Sequence, residues 1–181
     1  MLSFDEEKTR IKSVKSDAAQ AVTIVPYEAK NLDTFVRLNR MWIEEHWKLE
    51  EEDIRVLSHP QENIIDKGGH ILVAQCNGEP AGVVAVMPCP YEGFDWEFAK
   101  FAVDPAFRGN GIGKKLGRAA VDGAREIGCR HLFIESNKLL KLAIHVYEWL
   151  GFKEMPDFKS GYCRGDYCAE MWLSMPLLTG G

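Results

Sequence analysis

The spacing of apolar residues separates helical from extended stretches along the chain. Over residues 31–47 an apolar residue returns every third or fourth position, which predicts an amphipathic helix. The same period recurs over residues 111–127 and 139–150, and a glycine follows each stretch, as is typical of a helix end. Short runs rich in β-branched residues predict strands instead. The predicted strands cover residues 21–27, 70–76, 81–87, 97–103, 130–135 and 168–174.

The order of these elements predicts the fold class. A second, shorter helix is predicted over residues 53–57, and Asn77-Gly78 between two strands is a strong hairpin signal. A strand, two helices, a β-meander and a final alternation of strands and helices together predict a mixed α/β sheet with helices on both faces. Residues 1–20 mix charges with isolated apolar residues. They are predicted to form an N-terminal extension to a single domain at residues 21–181.

The composition narrows the class of protein. The 181 residues are 46% apolar and 27% charged, which is typical of one globular domain. The formal net charge of −5 argues against sequence-independent nucleic-acid binding, which needs clustered Lys and Arg. No apolar run approaches the ~20 residues that span a bilayer, and the N-terminus is charged from its fifth residue and lacks the apolar stretch of an export signal. These features predict a cytoplasmic protein that does not act at a membrane.

The cysteines and histidines are scattered along the sequence. The five cysteines form no Cys-x-x-Cys pair, and the five histidines fall in no His-Glu-x-x-His or Cys/His ligand spacing. We therefore expect reduced thiols that serve mostly as small core residues, and we expect no bound metal.

The most informative segment is a glycine-rich loop at residues 104–115, between a predicted strand and a predicted helix. A helix N-terminus offers unpaired N–H groups and a partial positive charge, and glycines let a phosphate approach them closely. The spacing of the glycines fits neither the Walker A pattern nor the G-x-G-x-x-G dinucleotide pattern. What remains is Arg-x-x-Gly-x-Gly at Arg108, Gly111 and Gly113.

This pattern resembles the acyl-CoA pyrophosphate loop of the GNAT superfamily of N-acetyltransferases, whose signature is Gln/Arg-x-x-Gly-x-Gly/Ala. Two further segments carry the resemblance. Ala143, Tyr147, Gly151 and Phe152 match the family's Ala-x-x-x-Tyr-x-x-x-Gly-Phe helix, and residues 134–137 are similar to its fifth strand. The resemblance implies a mixed, mostly antiparallel central sheet of six to seven strands, with acetyl-CoA as cosubstrate.

The resemblance also implies which residues hold the cosubstrate. Backbone groups of the fourth strand would bind the pantetheine arm, and one of these amides would polarise the acetyl carbonyl. Amides of the loop would bind the pyrophosphate, and Asn137 would hydrogen-bond the pantetheine or its surroundings. The implied cofactor-binding residues are Phe101, Ala102, Val103, Arg108, Gly109, Asn110, Gly111, Ile112, Gly113, Lys114 and Asn137.

Two residues are implied in the chemistry. Tyr147 matches the family's general acid, and a phenol with a pKa of about 10 can supply a proton to the departing thiolate. Glu97 falls on the fourth strand, where some members carry a catalytic glutamate. Trp96 and Phe98 beside it provide an apolar setting, which raises the pKa of a carboxyl group. A water relay is the alternative to Glu97 as the base.

The resemblance places the acceptor pocket at the helix over residues 32–47 and the loop over residues 88–96. Trp42 is expected in an aromatic wall and Glu45 is expected to attract an ammonium group, although both also fit structural roles. Residues 41–67 hold eight acidic against three basic residues, whereas residues 100–118 hold five basic against one acidic. The predicted acceptor side is therefore acidic and the predicted phosphate loop is basic.

Together these features predict an acetyl-CoA-dependent N-acetyltransferase that acetylates the primary amine of a small molecule by direct attack in a ternary complex. No Cys or Ser lies in a recognisable nucleophile setting, which fits that route. The alternatives are acetylation of a protein or peptide amine and a non-catalytic acyl-CoA-binding regulatory module. A nucleic-acid-binding module fits the charge least well. A homodimer is common in the family, and the residues indicate no interface for one.

Overall fold

One seven-stranded sheet runs through the part of the chain that the computed structural model describes, residues 21–161 and 164–173. Its strands are β1 (Val22–Pro26), β2 (His70–Cys76), β3 (Glu79–Pro88), β4 (Trp96–Val103), β5 (His131–Ser136), β6 (Lys153–Glu154) and β7 (Tyr167–Trp172). The α-helices are α1 (Leu32–His46), α2 (Glu51–Ser58), α3 (Ile112–Glu126) and α4 (Lys141–Leu150), and shorter 3-10 or π turns cover Ala29–Asn31, Gln61–Ile65 and Pro105–Phe107. The predicted extension at residues 1–20 lies outside the described residues, as do residues 174–181.

The strands lie in the order β1-β2-β3-β4-β5-β7-β6. Neighbouring strands are antiparallel except β4 and β5, which are parallel. Asn77 and Gly78 both have positive φ, 52° and 85°, and close the β2–β3 hairpin as their sequence predicts. The prediction of a mixed, mostly antiparallel sheet in an α/β fold is confirmed.

Helices cover both faces of the sheet, because the central strand points apolar side chains alternately to one face and to the other. Val84 packs with Leu116 of α3 and Leu150 of α4 in one core cluster. Its neighbour Val83 belongs to a second cluster that contains Phe35 of α1 and residues of α2. Successive residues of a strand point to opposite faces, so the central strand β3 is buried on both sides.

The β4–β5 pair opens soon after it begins. Among the described residues, the ladder pairs only Trp96 with Leu132 and Glu97 with Phe133. On its other side β4 carries a bulge, since Ala99 lies opposite Ala85 and Ala102 opposite Val83. Lys100 and Phe101 therefore share the space opposite one residue of β3, and Lys100 has a φ of 52°. The bulge bends β4 away from β5 and leaves a gap between the two strands.

Some observed elements differ from the predicted ones. In these places the ends of the element are not set by the spacing of apolar residues. The helix predicted from residue 139 begins at Lys141, because Asn137 Oδ1 accepts a hydrogen bond from the Leu139 N–H (2.9 Å) and holds a turn there. The two-residue strand β6 was not predicted, since both of its residues are exposed and charged.

Among the described helices, none is both long and apolar enough to cross a membrane.

Phe98 of β4 supports the floor of the gap. Its ring is 1% exposed and lies 5.8 Å from the rings of Tyr147 and Phe152. We expect Phe98→Ala to lower the free energy of unfolding by about 3–5 kcal/mol, because the residual cavity cannot collapse against the sheet. Ile54→Ala, at a side chain that is 53% exposed, should cost no more than about 0.5 kcal/mol. Urea unfolding of both variants measures this; equal losses would contradict the packing described.

Candidate active site

The gap between β4 and β5 holds a cavity of about 570 Å³, here called the larger cavity. It is bounded by the exposed edge of β4, by the loop that precedes α3, and by one face of α4. The predicted site residues that line it are Trp42, Phe101, Ala102, Val103, Arg108, Gly109, Gly111, Ile112, Gly113, Lys114 and Tyr147. A single continuous cavity thus collects residues from four separate elements.

The loop between β4 and α3 presents backbone amides to this cavity. Gly109 and Gly111 have φ angles of 87° and 70°, which L side chains rarely adopt. A Cβ atom added at either glycine would meet no atom within 4 Å, so backbone conformation rather than crowding requires glycine there. No side chain caps the N-terminus of α3, which leaves its first N–H groups open to an anion.

Two side chains hold the loop in shape. Asp104 accepts a hydrogen bond from the Ala106 N–H (3.0 Å) and pairs with Arg37 of α1 at 3.0 Å. The Asn110 amide donates to the Phe107 carbonyl (3.0 Å). Asn110 itself is exposed and lies outside the lining of the larger cavity, so its side chain supports the loop.

Tyr147 lies on α4, facing the split between the strands. It is 5% exposed and packs against the rings of Phe98, Phe101 and Phe152. Burial raises the pKa of its phenol well above the ordinary value, and a hydrogen bond with the Ser136 hydroxyl opposes that rise. Tyr147 therefore keeps its proton at neutral pH.

Glu97 lines a second, smaller cavity of about 70 Å³. The two cavities share part of their walls, and the shared residues are Trp42, Ala99, Lys100, Glu135 and Ser136. Burial, opposed by the Lys100 charge and reinforced by Glu135 and Glu52, raises the pKa of Glu97 to about 8. Its carboxyl group is therefore poised to exchange a proton just above neutral pH.

Glu135 on β5 is a second carboxyl group in both cavity walls, and the sequence analysis assigned it no role. The Tyr91 hydroxyl donates to its Oε2 at 2.9 Å, and the Ser160 hydroxyl donates to its Oε1. The sequence did contain one signal for Glu135: it lies within residues 134–137, which are similar to the family's fifth strand. Sequence alone could not show that Tyr91 and Ser160 hold the Glu135 carboxyl group beside the cavity that Glu97 also lines.

The smaller cavity is closed on one side by charged groups that also went unpredicted. Lys100 and Arg164 line it, and both pair with Asp53 of α2. Asp53 belongs to the acidic stretch at residues 41–67, but it is fully buried and its partners are basic residues of this chain. Other acids of that stretch are also paired, Glu44 with Arg40 and Glu52 with Arg55. The carboxyl groups at the cavity come from β4 and β5 instead.

The structure places the two predicted acceptor residues differently. Trp42 does lie where the two cavities meet, with its ring against Trp47 at 6.3 Å. Glu45 lines neither cavity; 65% of its side chain is exposed beside His46, at the end of α1. Glu45 lies three residues after Trp42 on the same helix, and its side chain faces solvent rather than either cavity.

Asn137 is held by two hydrogen bonds beside the smaller cavity. Its amide donates to the Arg164 carbonyl at 2.6 Å and its Oδ1 accepts from the Leu139 N–H at 2.9 Å. The residue lines the smaller cavity rather than the larger one. Its polar atoms thus fix the segment that carries Arg164, and a hydrogen bond from Asn137 to the pantetheine or its surroundings stays a prediction.

Comparisons with known protein sequences bear on this site. The sequence profile of the acetyltransferase (GNAT) family matches residues 32–152. The N-acetyltransferase YjgM of Escherichia coli (strain K12) is 34% identical over 110 residues, 60% of this chain and 65% of that protein, so the match spans just under two thirds of that relative. Spermidine N(1)-acetyltransferase of Escherichia coli (strain K12) is 26% identical over 142 residues, 75% of this chain and 74% of that protein.

Solved structures share the fold. An acetyltransferase of the GNAT family from Staphylococcus aureus Mu50 superposes with a TM-score of 0.75 at 18% identity, over 85% of this chain and 100% of that one. The yncA structure from Salmonella typhimurium with its cofactor acetyl-CoA gives a TM-score of 0.66 at 20% identity, over 86% and 96% of the two chains. The family profile covers well over half of the sequence and confirms the resemblance carried by the loop and the Tyr147 helix: the chain belongs to the acetyltransferase (GNAT) family.

Proposed function

We propose that this protein transfers the acetyl group of acetyl-CoA to the primary amine of a small molecule, by direct attack of the amine within a ternary complex. One observation carries the proposal. Two cavities meet at the split between β4 and β5, with a protonated phenol on one side and a carboxyl group of raised pKa on the other. A reacting carbonyl between them would have an acid and a base within one site.

The larger cavity fits acetyl-CoA, which supplies an activated acetyl thioester when it is bound. The open amides at the start of α3 and the cations of Arg108 and Lys114 suit its pyrophosphate. The positive φ angles of Gly109 and Gly111 leave the loop backbone uncovered toward such a group. The exposed edge of β4 at residues 101–103 would hold the pantetheine arm with backbone hydrogen bonds, and one of its amides would point at the acetyl oxygen.

Tyr147 acts as the general acid in this proposal. Its buried hydroxyl keeps its proton at neutral pH, because burial raises its pKa. A thiol leaving group departs as a thiolate, and the Tyr147 Oη–H is the donor that would protonate it. The Ser136 hydroxyl, hydrogen-bonded to Tyr147, orients the phenol.

Glu97 acts as the base. An alkylammonium has a pKa of about 10, so a carboxylate with an ordinary pKa of about 4.3 accepts its proton poorly. The pKa of Glu97 is raised to about 8, which is much closer to that of the alkylammonium. Transfer of the proton from the amine to Glu97 therefore costs less free energy. Glu97 Oε atoms would therefore take up the proton that the amine must lose before it attacks.

The cysteine thiols near the site support direct attack rather than an acyl-enzyme. Burial raises the pKa of both Cys89 and Cys168 to about 12, so both remain protonated at neutral pH. A thiol, unlike a thiolate, is a weak nucleophile.

The acceptor is inferred from the smaller cavity. Its volume of about 70 Å³ admits an amino group and a few further atoms, and two carboxyl groups line it. This favours a slender, cationic small molecule over a bulky protein segment. The relative named as a spermidine N(1)-acetyltransferase supports an acceptor of this kind.

Replacing the phenol tests the general acid. We expect Tyr147→Phe to lower kcat by about 10²-fold or more while acetyl-CoA still binds, because only the proton donor is lost. Tyr167→Phe is the matched control: its ring is 2% exposed and stacks near Tyr147 at 6.4 Å, but it lines neither cavity. Thiol release and acetyl-CoA titration measure the two effects. Unchanged turnover in Tyr147→Phe would remove the phenol from the mechanism.

Replacing the carboxyl group tests the base through the pH profile. The wild-type kcat/KM should rise as pH increases through about 8, since Glu97 accepts a proton only when it is ionised. Glu97→Gln should lose this rise and fall by about 10²-fold. Glu44→Gln, at a surface ion pair with Arg40, should keep the wild-type profile. If Glu97→Gln keeps it as well, a water relay or another group is the base.

A panel of amines tests the class of acceptor. Acetyl-CoA should raise the melting temperature, and thiol release should be fastest with small cationic primary amines such as spermidine. Lysine-containing peptides are the comparison arm, and activity confined to them would establish a peptide acceptor instead. Thermal stabilisation without thiol release from any amine would indicate the non-catalytic binding module.

A further inference from the structure

A buried ion cluster lies behind the smaller cavity. The Asp53 side chain is fully buried, with Lys100 Nζ 3.0 Å from its Oδ1 and Arg164 Nη2 2.8 and 2.7 Å from its two oxygens. Arg164 also pairs with Glu50 at 2.9 Å, and the Glu50 N–H donates to Asp53 Oδ2. One carboxylate thus ties together α2, the bulge of β4 and the segment before β7.

The two cations of the cluster are part of the cavity wall. Lys100 and Arg164 line the smaller cavity with Glu97 and Glu135, whereas Asp53 lies behind them. Lys100 adopts its left-handed backbone conformation at the β4 bulge. Such strain persists where the surroundings over-determine it, and the contact with Asp53 fixes the Lys100 side chain in its place.

The electrostatics follow from the burial of Asp53. Burial alone would raise its pKa, but the Lys100 charge and the hydrogen bonds from Lys100, Arg164 and the Glu50 backbone hold the pKa of Asp53 below its usual range. Asp53 is therefore ionised at neutral pH and offsets the cations beside the cavity. Without it, Lys100 would present an uncompensated positive charge to Glu97 and to an incoming ammonium group.

We propose that Asp53 is a positioning residue of the acceptor site, which ties back the cationic side chains of Lys100 and Arg164 so that the carboxyl groups of Glu97 and Glu135 meet the amine. The proposal rests on the proposed function, because it assigns Glu97 the proton of the acceptor. Asp53 itself touches no substrate; it acts through Lys100 and Arg164. By holding back these two cations, Asp53 makes the smaller cavity select a cationic amine as acceptor, rather than an anionic or zwitterionic one.

Other groups also lie around Glu97, on the elements packed against it. Lys100 lies on the same strand, and the remaining groups come from α2, β5, β7, the end of β3 and the segment before β7. Glu135 and Glu52 act on the carboxyl group of Glu97 directly, Cys168 and Cys89 carry thiols near it, and Arg164 lines the same cavity. The variants below change none of these residues and remove only the charges of Asp53 and Lys100, so the direction of each effect is fixed in advance.

The experiment compares kcat/KM against pH for Asp53→Asn, Lys100→Met and the double variant, with one cationic amine and saturating acetyl-CoA. Asp53→Asn should move the acidic limb of the profile to lower pH by about one unit, and should raise KM for the amine several-fold. Lys100→Met should move the limb to higher pH. The double variant, which removes one charge of each sign, should lie close to the wild type. Asp122→Asn, at a surface pair with Arg125 on α3, is the control and should change neither quantity.

A purely structural role for Asp53 predicts different results. In that case Asp53→Asn would lower the melting temperature and kcat without moving the pH profile. Adding Lys100→Met to Asp53→Asn would then restore neither the melting temperature nor kcat. That outcome, with Glu97→Gln still abolishing the rise near pH 8, would overturn this inference while the proposed function stands. If Glu97→Gln leaves the profile intact, the proposed base fails and this inference fails with it. If Asp53→Asn does not fold, Lys100→Met decides alone, and an unmoved limb overturns the inference.

Discussion

The bulge in β4 is the constraint on which the site depends. With two residues opposite one residue of β3, β4 cannot follow β5 beyond Glu97, and the parallel ladder ends after two pairs. A backbone edge inside a sheet normally has a partner, because buried N–H and C=O groups without one are costly. Here that edge faces the larger cavity. The fold thus keeps a row of backbone groups available for a ligand in the middle of the protein.

The open pair of strands also separates two electrostatic environments. On the α3–α4 face, a helix N-terminus, Arg108 and Lys114 provide positive potential, and the buried Tyr147 retains its proton. On the other face, burial of Glu97 raises the pKa of its carboxyl group, and Asp53 offsets the cations around it. Burial therefore raises the pKa of both Tyr147 and Glu97, because it favours the neutral form of each acid. A two-sided sheet keeps these environments close without mixing them.

Several parts of the fold were predictable because the signals are local. The Asn77-Gly78 hairpin, the glycine loop and the helix of Tyr147 each depend on residues within about one turn or loop of each other. Other expectations depended on contacts that the sequence does not contain. Glu45 was expected to attract an ammonium group because it lies on the predicted acceptor helix, but 65% of its side chain is exposed and it lines neither cavity. The acidic stretch at residues 41–67 was interpreted as a field for the acceptor, although Asp53, Glu52 and Glu44 are held by cations of this chain.

The sequence by itself determined most of the elements, their order, the glycine-rich loop and the family, because periodicity and short motifs are properties of neighbouring residues. The tertiary structure decided which carboxyl groups line the smaller cavity. Glu135 is oriented by Tyr91, 44 residues away, and Asp53 meets Lys100 and Arg164 across 47 and 111 residues. Such contacts depend on strand register and on one bulge, and a shift of a single residue would turn each side chain to the opposite face. Only the folded chain therefore defines which side chains surround the smaller cavity.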